Sequence, residues 1–565
     1  MARASVALTI AGEAGQGLVT IGELLVKGLN RAGFRLLVTQ DYLSRIRGGI
    51  NAFTILTGAG EIISPRETVD LLIALNQEAV VQRQNQVAPD GLVVAGTGDC
   101  LTIPRKILCV PYQELADSRS TNMAALGVAG ALLGLGLEAL IQTLERAFGR
   151  KHPEAATKNA EALSKAYAWC REQGPSSLTL ASPAAAAQRL TLNGNEAIAL
   201  GALAAGVKFC AFYPMTPATS IPLNLAARAE KMGLVVEQAE DEIAAVNMAI
   251  GAAYAGAPSL VSTSGGGFAL MAEGVSLAGM METPLVLVVC QRPGPATGLP
   301  TRTEQADLEF VLHAGHGEFP RAVFAPGTIE ECFHLTRRAF DLAERYQSPV
   351  FVLSDQFLAD SYRSVAPFDL DGLEVNPAAG HAAALAAGPS LPYRRYALTA
   401  SGVSPRLLPG LSEHLVVTDS DEHTEDGHLT EDLTVRVQMH EKRLRKMEGL
   451  AREIIAPEFI GEEKPELLLV SWGSSRGAVL AAAAQLGSEG RKTAVLHFSQ
   501  VWPLAPAQFL ERLERAARVI AVEGNAFGQL ARLIRRESGF EIKEAIRRYD
   551  GLHLTPEYIR RNLAG

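Results

Sequence analysis

Three stretches in the middle of the chain hold residue types that could do chemistry. In the first, "FYPMTPATSIP" from Phe212 to Pro222, three prolines and the hydroxyls of Thr216, Thr219 and Ser220 follow the apolar run "VKFCAF". Proline fixes φ, removes a donor and biases its predecessor toward extended backbone, so Pro214, Pro217 and Pro222 stiffen the turn. The hydroxyls can then donate hydrogen bonds outward at small entropic cost, or simply start and cap the next helix, "PLNLAARAEKMG". The second stretch, "EQAEDEIAAVNMAIGAAYAG", opens a helix with Glu240, Asp241 and Glu242. A helix dipole favours carboxylates there, so the cluster reads either as an ordinary acidic start or as a buried carboxylate holding a ligand nitrogen.

The third, "STSGGGFALMAEG", sets Gly265, Gly266 and Gly267 between a strand and a helix. Three successive glycines suit a backbone pressed against a cofactor or a partner chain, or a flexible turn. Close behind, "CQRPGPATGLPTRTEQADL" puts Arg292 at the end of the apolar run "PLVLVVCQ" and Arg302 in the loop beyond. Arginine at a strand end is suited to gripping a carboxylate bidentately.

Near the N-terminus, "AGEAGQGLVTIGELL" places Gly12, Gly15 and Gly17 at another strand–helix junction, where backbone N–H groups can approach an anionic phosphate. The spacing is not the dinucleotide fingerprint, and a plain tight turn accounts for it equally. "SRIRGGINAF" could bring Arg45 and Arg47 beside that loop, or leave them solvated. In "TDSDEHTEDGHLTED", His423 and His428 stand among acids, but the spacing fits neither a calcium loop nor a zinc site, and no metal site is assigned.

The elements that must position these residues follow from the hydrophobic pattern. Short apolar runs alternate with amphipathic helical segments three times over, which predicts an α/β fold of several mainly parallel domains. The expected divisions are an α/β domain at 1–175, an Ala/Ser/Pro-rich linker at 176–190, and a second α/β domain at 191–365 with five candidate strands. A connector with an exposed charged helix, Leu433 to Ile455, is expected within 366–455, and a third α/β domain at 456–565.

Composition limits the function. The 565-residue chain is 48% hydrophobic with a net charge of -9, and its clearest basic cluster, Lys442 to Lys446 in "EKRLRKMEG", is broken by Leu444 and flanked by glutamates. Nucleic-acid binding has no electrostatic footprint. Six cysteines, Cys100, Cys109, Cys170, Cys210, Cys290 and Cys332, are scattered singly, so neither a disulfide framework nor an iron–sulfur or zinc site is expected. The longest apolar run, Met123 to Leu137, is too short to span a bilayer, and the N-terminus lacks a signal-peptide pattern; a cytoplasmic protein without membrane contact is expected.

In their order and spacing, "YPMTPAT", "EDEIAAVNMAIGAAYAG", "STSGGGFALMAE" and "VVCQRPGPATGLPTRTEQADL" resemble the α subunit of 2-oxoacid:ferredoxin oxidoreductases. "GEAGQG" with "RIRGG" resembles the γ domain of that family, and the last α/β unit its transketolase C-terminal-like domain, in a fused γ–α arrangement. The resemblance implies a thiamine-diphosphate pyrimidine-type domain in the middle of the chain. It also implies conversion of a 2-oxoacid and coenzyme A to acyl-CoA and carbon dioxide, or the reverse carboxylation, with electrons passed singly to ferredoxin. Residue by residue, Glu242 matches the glutamate on the aminopyrimidine ring, Thr216 a hydroxyl near the substrate carboxylate, and Arg292 the cation that holds it. Gly15, Gln16, Gly17 and Arg47 fall where the γ domain would meet coenzyme A, although Ala14 stands where a glycine is usual, and Met215 replaces a common isoleucine in the threonine loop.

The chain contains no G-D-G motif followed some 25 to 30 residues later by asparagine to hold magnesium and a diphosphate. The resemblance therefore implies a β subunit carrying Mg2+ and a [4Fe-4S] cluster and sharing the thiamine diphosphate, in an (αβ)2 assembly. "QRPGPATGLPT" and the fusion most resemble the 2-oxoglutarate branch. Pyruvate, branched-chain or broad 2-oxoacid specificity, a non-catalytic nucleotide- or coenzyme A-binding subunit, and a transketolase-like enzyme without iron–sulfur chemistry are the alternatives.

Overall fold

The computed structural model describes residues 2–42, 49–149, 153–173, 178–183, 189–373, 375 and 393–563. Its contacts divide the chain into two compact units, one of Met1–Leu192, Asp360–Phe368 and Thr555–Glu557, the other of Asn193–Ala359, Asp369–Leu554 and Tyr558–Gly565. Among the described residues no helix is long and apolar enough to cross a membrane.

The first unit is built on an eight-stranded sheet. Strands Lys106–Val110, Val87–Gly96, Val69–Ala74 and Ser5–Glu13 run parallel, with Val69–Ala74 buried throughout and Val87–Gly96 buried from Gly91 onward. Antiparallel strands Ile50–Gly58, Arg35–Asp41, Tyr362–Val365 and Leu190–Leu192 complete it. The long apolar run resolves into a core helix, Thr121–Leu133, buried at every position from Met123 to Leu133.

One expectation fails in this unit. Cys100 and Cys109 form a disulfide, with Cα atoms 6.1 Å apart. Strand Lys106–Val110 lies parallel to Val87–Gly96 with Cys109 opposite Ala95, and the return loop brings Cys100 back to it, a closure that sequence spacing does not reveal. Cys170, Cys210, Cys290 and Cys332 are free and buried.

The second unit holds two sheets. The larger, in spatial order, comprises Gln500–Trp502, Ala322–Phe324, Pro349–Asp355, Leu285–Gln291, Ser259–Thr263, Phe209–Phe212 and Val235–Gln238, all parallel but the first. The five expected strands are all present, and the short Ala322–Phe324 and the edge strand Gln500–Trp502 are additional. The smaller sheet orders Glu458–Gly461, Thr493–Phe498, Leu467–Trp472, Arg518–Glu523 and Glu544–Arg547. A single apolar cluster runs from Ala211, Val261 and Phe351 through Leu468, Trp472 and Phe498, so these two sheets share one core.

The charged helix, Leu433–Arg452, is not the freely exposed element that its composition predicts. Lys442 and Lys446 are buried, and both pair with the buried Glu282, at 2.7 and 2.5 Å. Their spacing of four residues puts two ammonium groups on one helix face, and Lys446 also donates to the Gln347 carbonyl at 3.1 Å. Burial pushes the Glu282 carboxyl up, but Lys446, Lys442 and Arg395 together outweigh it and hold it at about 2. Glu282 thus adds stability in full above its unfolded value of about 4.3, and that contribution is lost as pH falls toward about 2. Glu282→Gln strands two buried cations. It is expected to cost about 3–5 kcal/mol in urea denaturation at neutral pH, and a loss under 1 kcal/mol would show that the lysines re-solvate freely.

Candidate active site

In the second unit, strands Val235–Gln238, Phe209–Phe212, Ser259–Thr263 and Leu285–Gln291 are successive parallel neighbours, so the segments leaving their carboxyl ends meet at one edge of the sheet. Open α/β sheets bind ligands at that edge. Glu242, Thr216, the glycine tract and Arg292 all stand there.

Glu242 is the first residue of the helix Glu242–Tyr254, which Asp241 caps by accepting from the Ala244 N–H at 2.7 Å. Glu242 itself does no capping. Its side chain is 3% exposed and its Oε1 is buried with no hydrogen-bond partner. An unsatisfied buried carboxylate oxygen costs on the order of 1–3 kcal/mol or more, which a fold does not sustain without return. The glycine tract explains how the space is kept. A Cβ on Gly267 would stand 2.5 Å from Glu242 Oε1 and 2.2 Å from Thr263 Oγ1. An acceptor held in a cradle that a methyl group would fill fits a nitrogen-bearing ring such as the aminopyrimidine of thiamine diphosphate. Gly267→Ala is accordingly expected to weaken thiamine diphosphate binding at least tenfold in the assembled protein and, because the methyl must displace the buried Thr263 and Glu242 side chains, to lower the melting temperature as well. Isothermal titration and thermal denaturation measure the two.

Thr216 lies in a turn clamped from both sides. Asn195 donates to the Pro217 carbonyl at 2.8 Å and to Ser220 Oγ at 2.8 Å, and Arg292 Nη1 donates to the Thr216 carbonyl at 2.8 Å. The helix that follows, Ser220–Ala226, has Thr219 at its N-cap with no side-chain cap bond, so the Thr219 hydroxyl is not spent as the capping alternative would require. Arg292 thus joins the threonine loop to the end of the central strand, while its own Nε is buried and unpartnered.

Sequence reasoning missed two carboxylates. Asp307 occupies the N-cap position of Leu308–His313 yet makes no cap bond, and its Oδ2 is buried without a partner. Burial pushes its carboxyl up to about 6, against the pull of Arg292. Glu304 is pushed up to about 7 by burial and then by Asp307. An aspartate before a helix reads as a cap, and only its orientation shows otherwise. The segment bearing both is anchored on the smaller sheet. Gln305 donates from its side chain to the Trp472 carbonyl at 3.0 Å and accepts from the Gly524 N–H at 2.9 Å.

In the first unit, Gly15 and Gly17 have φ of 95° and 80°, conformations that favour glycine, at the entry to the helix Leu18–Arg31. Gln16 Oε1 is occupied within its own loop, accepting from the Glu13 N–H at 2.8 Å and from Asn76 Nδ2 at 3.0 Å. Arg45 and Arg47 lie outside the described residues. Among the described residues no group of three or more His, Cys, Asp or Glu is gathered as an ion would need. His423 is buried against the Tyr396 ring, with centroids 3.9 Å apart.

Known proteins agree with this arrangement in both sequence and fold. The pyruvate flavodoxin/ferredoxin oxidoreductase thiamine diP-binding model matches residues 200–442. The pyruvate ferredoxin/flavodoxin oxidoreductase model matches residues 7–169, and the transketolase C-terminal domain model residues 459–563. The chain is 30% identical to the 2-oxoacid:ferredoxin oxidoreductase subunit alpha of a Sulfolobus species, over 96% of its own length and 94% of the relative's. It is 29% identical to the 2-oxoglutarate oxidoreductase subunit KorA of Mycobacterium tuberculosis, over 99% and 92%. The 2-oxoglutarate:ferredoxin oxidoreductase from Magnetococcus marinus, solved with 2-oxoglutarate, coenzyme A and succinyl-CoA bound, superposes with a TM-score of 0.91 at 30% identity, covering 100% of this chain and 99% of that one. Matched along its whole length in sequence and in fold, the chain is a member of the 2-oxoacid:ferredoxin oxidoreductase alpha-subunit family.

Proposed function

We propose that this chain is the alpha half of a coenzyme A-dependent 2-oxoglutarate:ferredoxin oxidoreductase, interconverting 2-oxoglutarate and succinyl-CoA with carbon dioxide. The observation that carries the reading is the buried, unpartnered Glu242 Oε1 beneath Gly267, at the same carboxyl-end edge of the sheet as Arg292. Thiamine diphosphate, when bound, supplies the stabilised carbanion that decarboxylation needs. This chain's part is orientation and charge. Glu242 accepts a hydrogen bond from the pyrimidine ring and holds a proton there, Arg292 takes the substrate carboxylate, and Thr216, fixed by Asn195 and Arg292, presents its hydroxyl beside it. Gly15, Gln16, Gly17 and Arg47 contribute to coenzyme A binding, with Gln16 acting chiefly to shape its loop.

The site needs a second chain. A beta subunit would bring Mg2+, the diphosphate contacts and the [4Fe-4S] cluster that relays electrons to ferredoxin. Ile243, Met248 and Leu270, exposed to 50%, 43% and 52%, lie on the helices that begin at Glu242 and Gly265, and offer that subunit an apolar seat. Purification with the neighbouring-gene subunit, followed by viologen reduction with a panel of 2-oxoacids, tests the assignment. A preference for 2-oxoglutarate over pyruvate of tenfold or more in kcat/KM is expected, and a preference for pyruvate would overturn the substrate assignment.

A further inference from the structure

Asp307 has no assigned part in this chemistry, yet its setting is unusual for a structural aspartate. It stands at a helix N-cap and does not cap; its Oδ2 is buried with no hydrogen-bond partner. Nearby, Arg292 has a buried Nε without a partner. The two side chains interact through their charges, but no hydrogen bond or direct ion pair joins them. A Cβ on Gly265 would stand 2.5 Å from Asp307 Oδ2, as one on Gly267 would from Glu242 Oε1, so the glycine tract lets two carboxylates, each with a partnerless oxygen, pack against it two residues apart.

We infer that Asp307 is a positioning residue that balances the charge of Arg292 in the free site and takes up a proton when a ligand carboxylate engages Arg292, its Oδ2–H then donating to that carboxylate. This rests on the reading of Arg292 as the carboxylate-binding residue. An anionic ligand takes over the compensation of Arg292 and adds negative charge beside Asp307, and both changes favour the protonated acid. The carboxyl is already poised for this, since burial holds it at about 6. Its own segment also carries Arg302, Glu304 and Glu309, the last paired with Arg532 at 3.2 Å; Glu242 stands at the other end of the glycine tract, and Asp355 lies opposite Gln291, whose side chain accepts from the Asp307 N–H. Of the two carboxyls pushed up by burial on this segment, Asp307 feels Arg292, whereas Glu304 feels Asp307.

The test uses the complex of this chain with its partner and thiamine diphosphate, and oxalate as a carboxylate probe, with electron acceptor and coenzyme A left out so that no turnover follows. Calorimetric titration in buffers of different ionisation enthalpy counts protons directly. Uptake of roughly half a proton per oxalate at pH 7 is expected, with the dissociation constant weakening by up to about tenfold per pH unit above neutrality. Asp307→Asn should abolish the uptake and flatten the pH profile, and Glu304→Gln should keep most of both. Zero uptake by the unaltered complex, uptake surviving Asp307→Asn, or uptake lost only in Glu304→Gln would each overturn the inference. Arg292→Ala separates the two levels: unchanged oxalate affinity overturns the carboxylate-binding role itself, whereas lost affinity alongside a pH-independent unaltered complex overturns only the role of Asp307.

Discussion

Glu242→Gln in the assembled complex is expected to lower kcat by a factor on the order of 10²–10⁴, the range typical of losing a positioned acid–base group. The amide preserves shape and burial, so the helix start, already capped by Asp241, should form as before, and complex assembly should be unchanged by size-exclusion chromatography. What is lost is an acceptor able to hold a proton on the pyrimidine ring. Viologen reduction at saturating 2-oxoacid reads the effect, and turnover at the unaltered rate would remove Glu242 from the site. Thiamine diphosphate affinity should fall far less than kcat, because most of the binding contacts belong to the diphosphate end.

Arg292→Ala is expected to reduce kcat/KM by about 2–4 kcal/mol, roughly 30- to 1000-fold, chiefly through KM. Two losses combine. The ligand carboxylate forfeits its charge-assisted contact, and the Thr216 carbonyl forfeits the donor that fixes the threonine loop. Arg292→Lys divides them, because a lysine restores the charge without the planar fork. If the charge dominates, lysine should recover a large part of KM; if the clamp on Thr216 dominates, it should recover little. Unchanged kcat and KM in both variants would exclude the residue from the site.

The long apolar strands of both units, the helix starting at Glu242 and the glycine tract were legible because each leaves a local signature: an uninterrupted apolar run, an acidic first turn, three residues without side chains. What escaped depends on contacts between distant residues. The short strand Ala322–Phe324 has too few residues to show a period, and Gln500–Trp502 pairs with it across some 175 positions of sequence. Lys442 and Lys446 look like the polar face of a surface helix until Glu282 is seen opposite them. Asp307 carries the signature of a cap and declines the role. Asn195, which ties down the threonine loop, lies in an alanine-rich helix start with nothing local to distinguish it.

The edge of the first unit's sheet gives the chain an unexpected tolerance to cleavage. Strand Tyr362–Val365, far along the sequence, is hydrogen-bonded on one side to Arg35–Asp41 and on the other to Leu190–Leu192. A protease that cut after Leu192 would sever the only covalent path in that direction, yet it would leave an inserted strand belonging to the other fragment. The two pieces should therefore co-migrate on a native gel and part only in denaturant, much as a nicked protein stays whole. A gene split at that point would need no new interface to keep its products together.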